Sequence, residues 1–211
     1  MKILVIAATE MEIAPFILQN NQAEILITGV GAPACMYALT KKLAQQKYNL
    51  VIQAGIAGTF KNQYSLGKTY AVKSDLYADL GIEEGNNFYS LFEGGFLKPN
   101  VFPYTDGKLI NTKKNYFELK TVNAITINTV SDSMVQTELF KKKYDADIES
   151  MEGASFHYVC IQENTTFLQI RSISNFVGER VKTNWKMKES IENLNGNLIR
   201  IVNLITLNSL L

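Results

Sequence analysis

Apolar and polar positions fall in alternating blocks along this chain, and the blocks predict its elements. Residues 2–7 form an unbroken apolar run through Ile3-Leu4-Val5-Ile6, as expected of a strand covered on both faces. Ala8-Thr9 turn the chain, and 10–18 carry Ile13, Phe16 and Ile17 on one side of a helix. Thr9 is placed to cap that helix, with Glu12 as the far member of a capping box. Pro15 fits the first turn of such a helix and not much further in.

Residues 24–28 read as a second strand, closed by Gly29-Val30-Gly31, and 34–46 as a helix with Met36, Leu39 and Leu43 at helical spacing. A third strand, 50–54, is followed by Gly55-Ile56-Ala57-Gly58-Thr59, which reads as a turn. Further strands are expected over 68–76, 122–130 and 167–173, and helices over 134–143, 154–162 and 190–207. The last helix has Ile191, Leu194, Leu198, Ile201 and Ile205 on one face. Between 77 and 120 the pattern loosens, with glycines, prolines and six scattered aromatics (Phe88, Tyr89, Phe92, Phe96, Phe102 and Tyr104). Loops of that length commonly border a site; most of these aromatics are expected to pack the loop down. Alternating strands and helices predict an α/β fold, a central mixed and largely parallel twisted sheet with helices on both faces. Without repeats, low-complexity tracts or a linker, residues 1–211 are expected to form a single domain.

Composition narrows the function classes. The hydrophobic share of 46% and charged share of 19% are those of a globular protein, and a net charge of +1 argues against a nucleic-acid binder. Lys141-Lys142-Lys143 reads as a solvated helix end. No window reaches the apolar length of a membrane span, and the first apolar run is too short for a signal sequence, so a cytoplasmic protein is expected. Cys35 and Cys160 lack metal-type spacing and are expected as buried, reduced thiols. His157, between Phe156 and Tyr158, reads as a packed or half-exposed histidine rather than a catalytic one.

The candidate chemistry sits at Ile148-Glu149-Ser150-Met151-Glu152-Gly153-Ala154, where a polar lead-in ends at the start of an apolar helix. Glu149 or Ser150 could cap that helix. A carboxylate here could equally grip the hydroxyls of a ligand lying across the strand ends of an open α/β sheet. The two Gly-containing turns present bare backbone N–H groups along the same edge. Neither turn is a dinucleotide fingerprint or a P-loop, so no nicotinamide or triphosphate cofactor is expected.

Four motifs in order carry a resemblance: Ala8-Thr9-Glu10-Met11-Glu12, Gly55-Ile56-Ala57-Gly58, Ser150-Met151-Glu152-Gly153 and Arg171-Ser172-Ile173-Ser174-Asn175. In this sequence and spacing the chain resembles the purine nucleoside phosphorylase and nucleosidase superfamily over nearly its whole length, least from 77 to 120. Within it the likeness is to the futalosine hydrolases, relatives of the methylthioadenosine/S-adenosylhomocysteine nucleosidases. The resemblance implies a nucleoside phosphorylase-like fold and a purine nucleoside substrate. It also implies water as the nucleophile, no cofactor, no metal and a homo-oligomer, dimer or higher. Glu12 takes the place of the base that activates water, Met151 and Glu152 those that contact the ribose, and Asn175 the one facing the purine N7 edge. Ile56, Ala57, Gly58 and Ser174 fall at substrate-binding positions.

Breaking an N-glycosidic bond builds positive charge on the sugar and negative charge on the leaving base, which suits a carboxylate near the hydroxyls and a base near the water. Two positions depart from the adenine-specific branch. Asn175 stands where that branch has Asp, and its NH₂ suits a base whose O6 and N7 are both acceptors, hence hypoxanthine rather than adenine. Ile56 stands where that branch usually has Ser. For the carboxylate of a futalosine-type substrate the candidate is Arg180, which could instead be a surface arginine paired with Glu179 or Glu189. Arg171, inside the last strand, suits a structural ion pair near the site. Phosphorolysis, an adenine-releasing nucleosidase and a non-catalytic nucleoside-binding module are the competing readings. The acidic first turn (Glu10, Glu12) speaks against phosphate, and the pairing of Glu12 with Glu152 against mere binding.

Overall fold

A computed structural model describes residues 1–19, 22–85, 87–113, 117–130, 132–179 and 181–208. The chain runs β1 (Ile3–Ala7), α1 (Glu10–Gln19), β2 (Glu24–Ile27), α2 (Ala32–Gln45), β3 (Leu50–Thr59) and β4 (Thr69–Asp75). After a small hairpin, β5 (Gly81–Glu84) and β6 (Asn87–Ser90), come β7 (Leu109–Ile110), β8 (Thr121–Thr126) and α3 (Met134–Tyr144). The chain continues with β9 (Ile148–Ser150), α4 (Gly153–Gln162), β10 (Phe167–Phe176) and α5 (Met187–Asn208). The mixed, largely parallel sheet expected from the sequence is present. β1 pairs parallel with β2 and β3, β10 with β3, and β8 with β4 and β9, while β10–β4, β3–β9 and β4–β7 are antiparallel.

The sheet is not open at the end that matters. β3, β10, β4, β8 and β9 each pair with the next, and β9 pairs back to β3, so these strands close into a ring beside the flat β3–β1–β2 portion. Strand β3 makes this possible by its length. Its first half pairs with β1, and its second half, Gly58 and Thr59, pairs with Glu149 and Ile148 of β9. The stretch Gly55–Thr59 is therefore strand and not the turn its glycines suggested. The glycine at 55 has another reason: a Cβ there would lie 2.5 Å from Arg171 Nη1 and 2.9 Å from Glu12 Oε1. The backbone is bare because two side chains cross over it.

Strand alternation divides the core between two helical layers. Ile3, Val5 and Ala7 pack with Ile13 and Phe16 of α1 and with Leu194, Leu198, Ile201 and Ile205 of α5. Leu4 and Ile6 face the other way, onto Cys35 and Leu39 of α2 and Phe156, Val159 and Cys160 of α4. Both cysteines are buried and free. The segment after β4 is mostly turns, and Phe96 and Phe102 are 68% and 66% exposed, so they do not pack the loop down as expected. Among the described residues no helix is long and apolar enough to cross a membrane.

Candidate active site

A cleft of about 280 Å³ opens where β1, β3, β9 and β10 end. It is lined by Glu12, Ile56, Ala57, Gly58, Met151, Glu152, Ser174 and Asn175, so the structure gathers these expected site residues into one place. Arg180 lies outside the described residues. Met11, Val30, Val130 and Trp185 also line it, in ways the sequence reading did not assign, and Ala8, Thr9, Glu149, Ser150 and Arg171 complete the lining. A larger hollow of about 660 Å³ lies elsewhere, between 100–105 and the 160–167 turn. Its lining is polar, with Asn100, Asn111 and Asn164 among it, but Lys113 is the one charged side chain on the described lining, so it lacks the carboxylates that mark the smaller cleft.

Glu12 is brought in by the first turn of α1. Half of the expected capping box is present: the Thr9 backbone N–H donates to Glu12 Oε2 at 3.0 Å, and the Thr9 hydroxyl donates to the same oxygen at 3.2 Å. The other oxygen faces the cleft wall, where the Ile56 N–H donates to Oε1 at 3.2 Å. Cap and site are thus the same carboxylate. Burial pushes its pKa above the ordinary value of 4.5, against the pull of the Arg171 guanidinium and the Ile56 and Thr9 N–H groups, and the nearby Glu152 charge pushes the same way. A carboxylate with its pKa raised toward neutrality, held by N–H donors, is suited to taking a proton from water.

Glu152 is the N-terminal cap position of α4, yet its side chain makes no cap bond. Other hydroxyls cap the helix: Gly153 N–H reaches Ser150 Oγ at 3.4 Å and Ala154 N–H donates to Thr126 Oγ1 at 2.7 Å. That frees the Glu152 carboxylate for the cleft. Its Oε1 accepts from the Gly31 N–H at 3.0 Å, in the turn after β2, and its Oε2 meets both terminal nitrogens of Arg171 at 3.4 Å. Arg171 also donates to the Ile56 carbonyl at 3.2 Å. Both residues are buried, and their contacts are longer than the 2.7–2.9 Å typical of a tight charge-assisted bond. The expected ion pair exists, and it is also a wall of the cleft. A polar residue inside an apolar strand was the available signal for that wall.

Asn175 sits just past a bulge in β10 at Ser174. The Ser174 hydroxyl donates to Asn175 Oδ1 at 2.7 Å, and the amide nitrogen donates to the Phe176 carbonyl at 2.8 Å. One hydroxyl donor thus decides which way the amide faces. A single N–H remains for a ligand.

Behind α4 lies a second polar group. Asp75 Oδ1 accepts from Thr126 Oγ1 and the Leu76 N–H, each at 2.9 Å, and Gln169 Nε2 lies 3.4 Å from its Oδ2. Burial raises the Asp75 pKa to about 7 despite these donors and the more distant Arg171. His157 is the packed of the two alternatives, fully buried with Nδ1 3.0 Å from the Leu109 carbonyl, and burial lowers its pKa to about 4. Gly153 separates the two groups: a Cβ there would lie 2.1 Å from Asp75 Oδ2. Among the described residues no group of His, Cys, Asp and Glu is placed to hold a metal ion.

The chain belongs to the phosphorylase superfamily, whose family model matches residues 7–206. A futalosine hydrolase of Thermus thermophilus is 30% identical over 172 residues, covering 80% of this chain and 76% of that protein. A futalosine hydrolase of Streptomyces coelicolor is 26% identical over 175 residues, covering 80% and 73%. Among solved structures, futalosine hydrolase of Helicobacter pylori superposes with a TM-score of 0.79 over 96% of this chain and 97% of that one. At 15% identity that likeness is one of fold.

Proposed function

We propose that this protein hydrolyses the N-glycosidic bond of futalosine, releasing hypoxanthine and dehypoxanthine futalosine in the service of menaquinone synthesis. The observation that carries this reading is the convergence of Glu12, Glu152 and Asn175 on one cleft. Glu12 takes a proton from the water that attacks the anomeric carbon. As the C–N bond breaks and the C–O bond forms, Glu152 balances the positive charge on the ribose and accepts its hydroxyl hydrogens. The remaining N–H of Asn175 supports the departing base at its acceptor edge. An amide has no proton to give away, so the leaving base is protonated by water or stabilised by hydrogen bonds alone.

Water rather than phosphate is supported by the lining. Among the described residues Arg171 is the one cationic side chain on the cleft, and Glu152 and the Ile56 carbonyl already engage it. A phosphate would need several donors around one point. The mouth is apolar, with Met11 60% and Val30 58% exposed on it, which suits a large aromatic substituent on the sugar. A cytoplasmic homo-oligomer completes the proposal. Chromatography of futalosine, methylthioadenosine and inosine incubated with the protein in phosphate-free buffer tests it. Hypoxanthine from futalosine alone is expected. Adenine from methylthioadenosine, or turnover that needs phosphate, would overturn it.

A further inference from the structure

Helix α1 is broken at the residue after the base. Ile13 has φ −122° and ψ 17°, outside the helical range, and Pro15 sits inside the helix rather than in its first turn, contrary to the sequence expectation. Proline removes the N–H that would have bonded to the Met11 carbonyl and crowds that carbonyl. The next rung is open too, and something fills it. In a regular helix the Phe16 N–H would donate to the Glu12 carbonyl. Here the Phe16 N–H donates to Asn195 Oδ1 at 2.9 Å, and Asn195 Nδ2 donates to the Glu12 carbonyl at 2.9 Å. The same nitrogen reaches the Ile191 carbonyl at 2.7 Å, within its own helix α5. The amide replaces a helical hydrogen bond with two, one on each side of the gap, in a place where Asn195 is 1% exposed.

We propose that Asn195 is a positioning residue for the Glu12 carboxylate, acting through the main chain it holds open; this rests on reading Glu12 as the base. The side chain of Glu12 is already fixed from two sides, by Thr9 and by Ile56. Those two bonds span from the start of α1 to β3, and both form only while the Glu12 backbone stays where the inserted amide sets it. An inserted side chain is a recognised cause of a helix kink, and this one ends on the residue that does the chemistry. Asn195 is also out of pattern. It lies among the apolar residues Ile191, Leu194 and Leu198 on the buried side of α5, where packing alone would favour leucine.

Asn195→Ala tests this, with kcat and KM for futalosine measured per folded enzyme across pH. The expected result is a kcat loss of about 10-fold or more with KM little changed, since Asn195 borders neither sugar nor base. The acid limb of kcat should also move to higher pH, because the N–H bonds that hold the Glu12 pKa down are loosened. Leu198→Ala, a core truncation in the same helix, is the control. It should lower thermal stability while leaving kcat and the acid limb as in wild type. In a Glu12→Gln background Asn195→Ala should have no further effect on kcat. If Asn195→Ala does not fold, Asn195→Ser, which keeps one hydroxyl in the gap, carries the same measurements. Wild-type kcat and acid limb in the folded variant, or an undiminished effect in the Glu12→Gln background, overturns the proposal. Full activity of Glu12→Gln alone would instead overturn the reading of the base.

Discussion

Two groups of polar side chains meet back to back at the Glu152–Gly153 junction, and they handle burial in opposite ways. On the cleft side, Glu12 and Glu152 are 7% and 4% exposed and are met by backbone N–H groups and the Arg171 guanidinium. On the sealed side, Asp75 is 0% exposed and meets a hydroxyl, an amide and a single N–H, with Arg171 acting only at a distance. Desolvation is the largest influence on both Glu12 and Asp75. What differs is the partner set. Glu152 has a guanidinium in direct contact, whereas the neutral partners of Asp75 leave it holding its proton to about pH 7. The same residue types thus give a reactive wall on one face of a glycine and a neutral filler on the other.

The largest expected effect breaks the cleft side. Glu12→Gln should lower kcat by about 10²–10⁴-fold with KM nearly unchanged, read from steady-state kinetics on futalosine. In the wild type the acid limb of kcat/KM should lie above the ordinary carboxylate value of 4.5. A limb at or below it would mean another group sets the profile. Next comes Asn175→Asp, which replaces the outward NH₂ by a carboxylate beside the Phe176 carbonyl. The ratio of kcat/KM for hypoxanthine over adenine nucleosides should fall by about 10- to 100-fold, the scale of one buried polar group left unpaired. An unchanged ratio would remove Asn175 from base selection.

Gly153→Ala joins the two sides. Its Cβ would stand 2.1 Å from Asp75 Oδ2 and 2.4 Å from Gln169 Nε2, so a loss of about 1–3 kcal/mol is expected in denaturant unfolding. Because the backbone has to shift at Glu152, turnover should fall with it. Wild-type stability would show that the junction is looser than its contacts imply.

The smallest effect belongs to the sealed side alone. Asp75 has its pKa raised from 3.8 to about 7 by folding, so its contribution to stability is full below 3.8 and declines as pH rises to 7. His157 has its pKa lowered from 6.5 to about 4, so its contribution is full above 6.5 and declines as pH falls to 4. Over the shared window the slopes oppose. Asp75→Asn, close in shape and neutral like the protonated acid, should leave turnover near wild type and expose the histidine slope. Its urea midpoint should then climb from pH 4 to 6.5 more steeply than that of the wild type. A profile parallel to wild type would mean that Asp75 is charged in the folded protein.

How much of this was legible differs by feature. The apolar periods of β1, α4 and α5 and the carboxylates Glu12 and Glu152 could be read directly, because strand and helix periods and motif order are local properties. Gly55–Gly58 misled, since glycines after an apolar run signal a turn. Here Gly55 instead makes room for Arg171 and Glu12, which arrive from distant parts of the chain. Ring closure through β3–β9 and the insertion of Asn195 into α1 depend on contacts between remote segments, 183 positions apart in the latter case. Polar residues inside apolar periods were the visible traces of the cleft wall, in Arg171 of β10, and of that insertion, in Asn195 of α5. The sequence pattern marks that such residues need partners and leaves the partners unnamed.

The central claim is that the Glu12 side of this comparison activates water against the anomeric carbon. Turnover of futalosine in heavy-oxygen water, followed by mass spectrometry of both products, tests it most directly. The account predicts one heavy oxygen in the sugar product and none in hypoxanthine, formed without phosphate. An unlabelled sugar, or a sugar phosphate appearing only when phosphate is added, would contradict it.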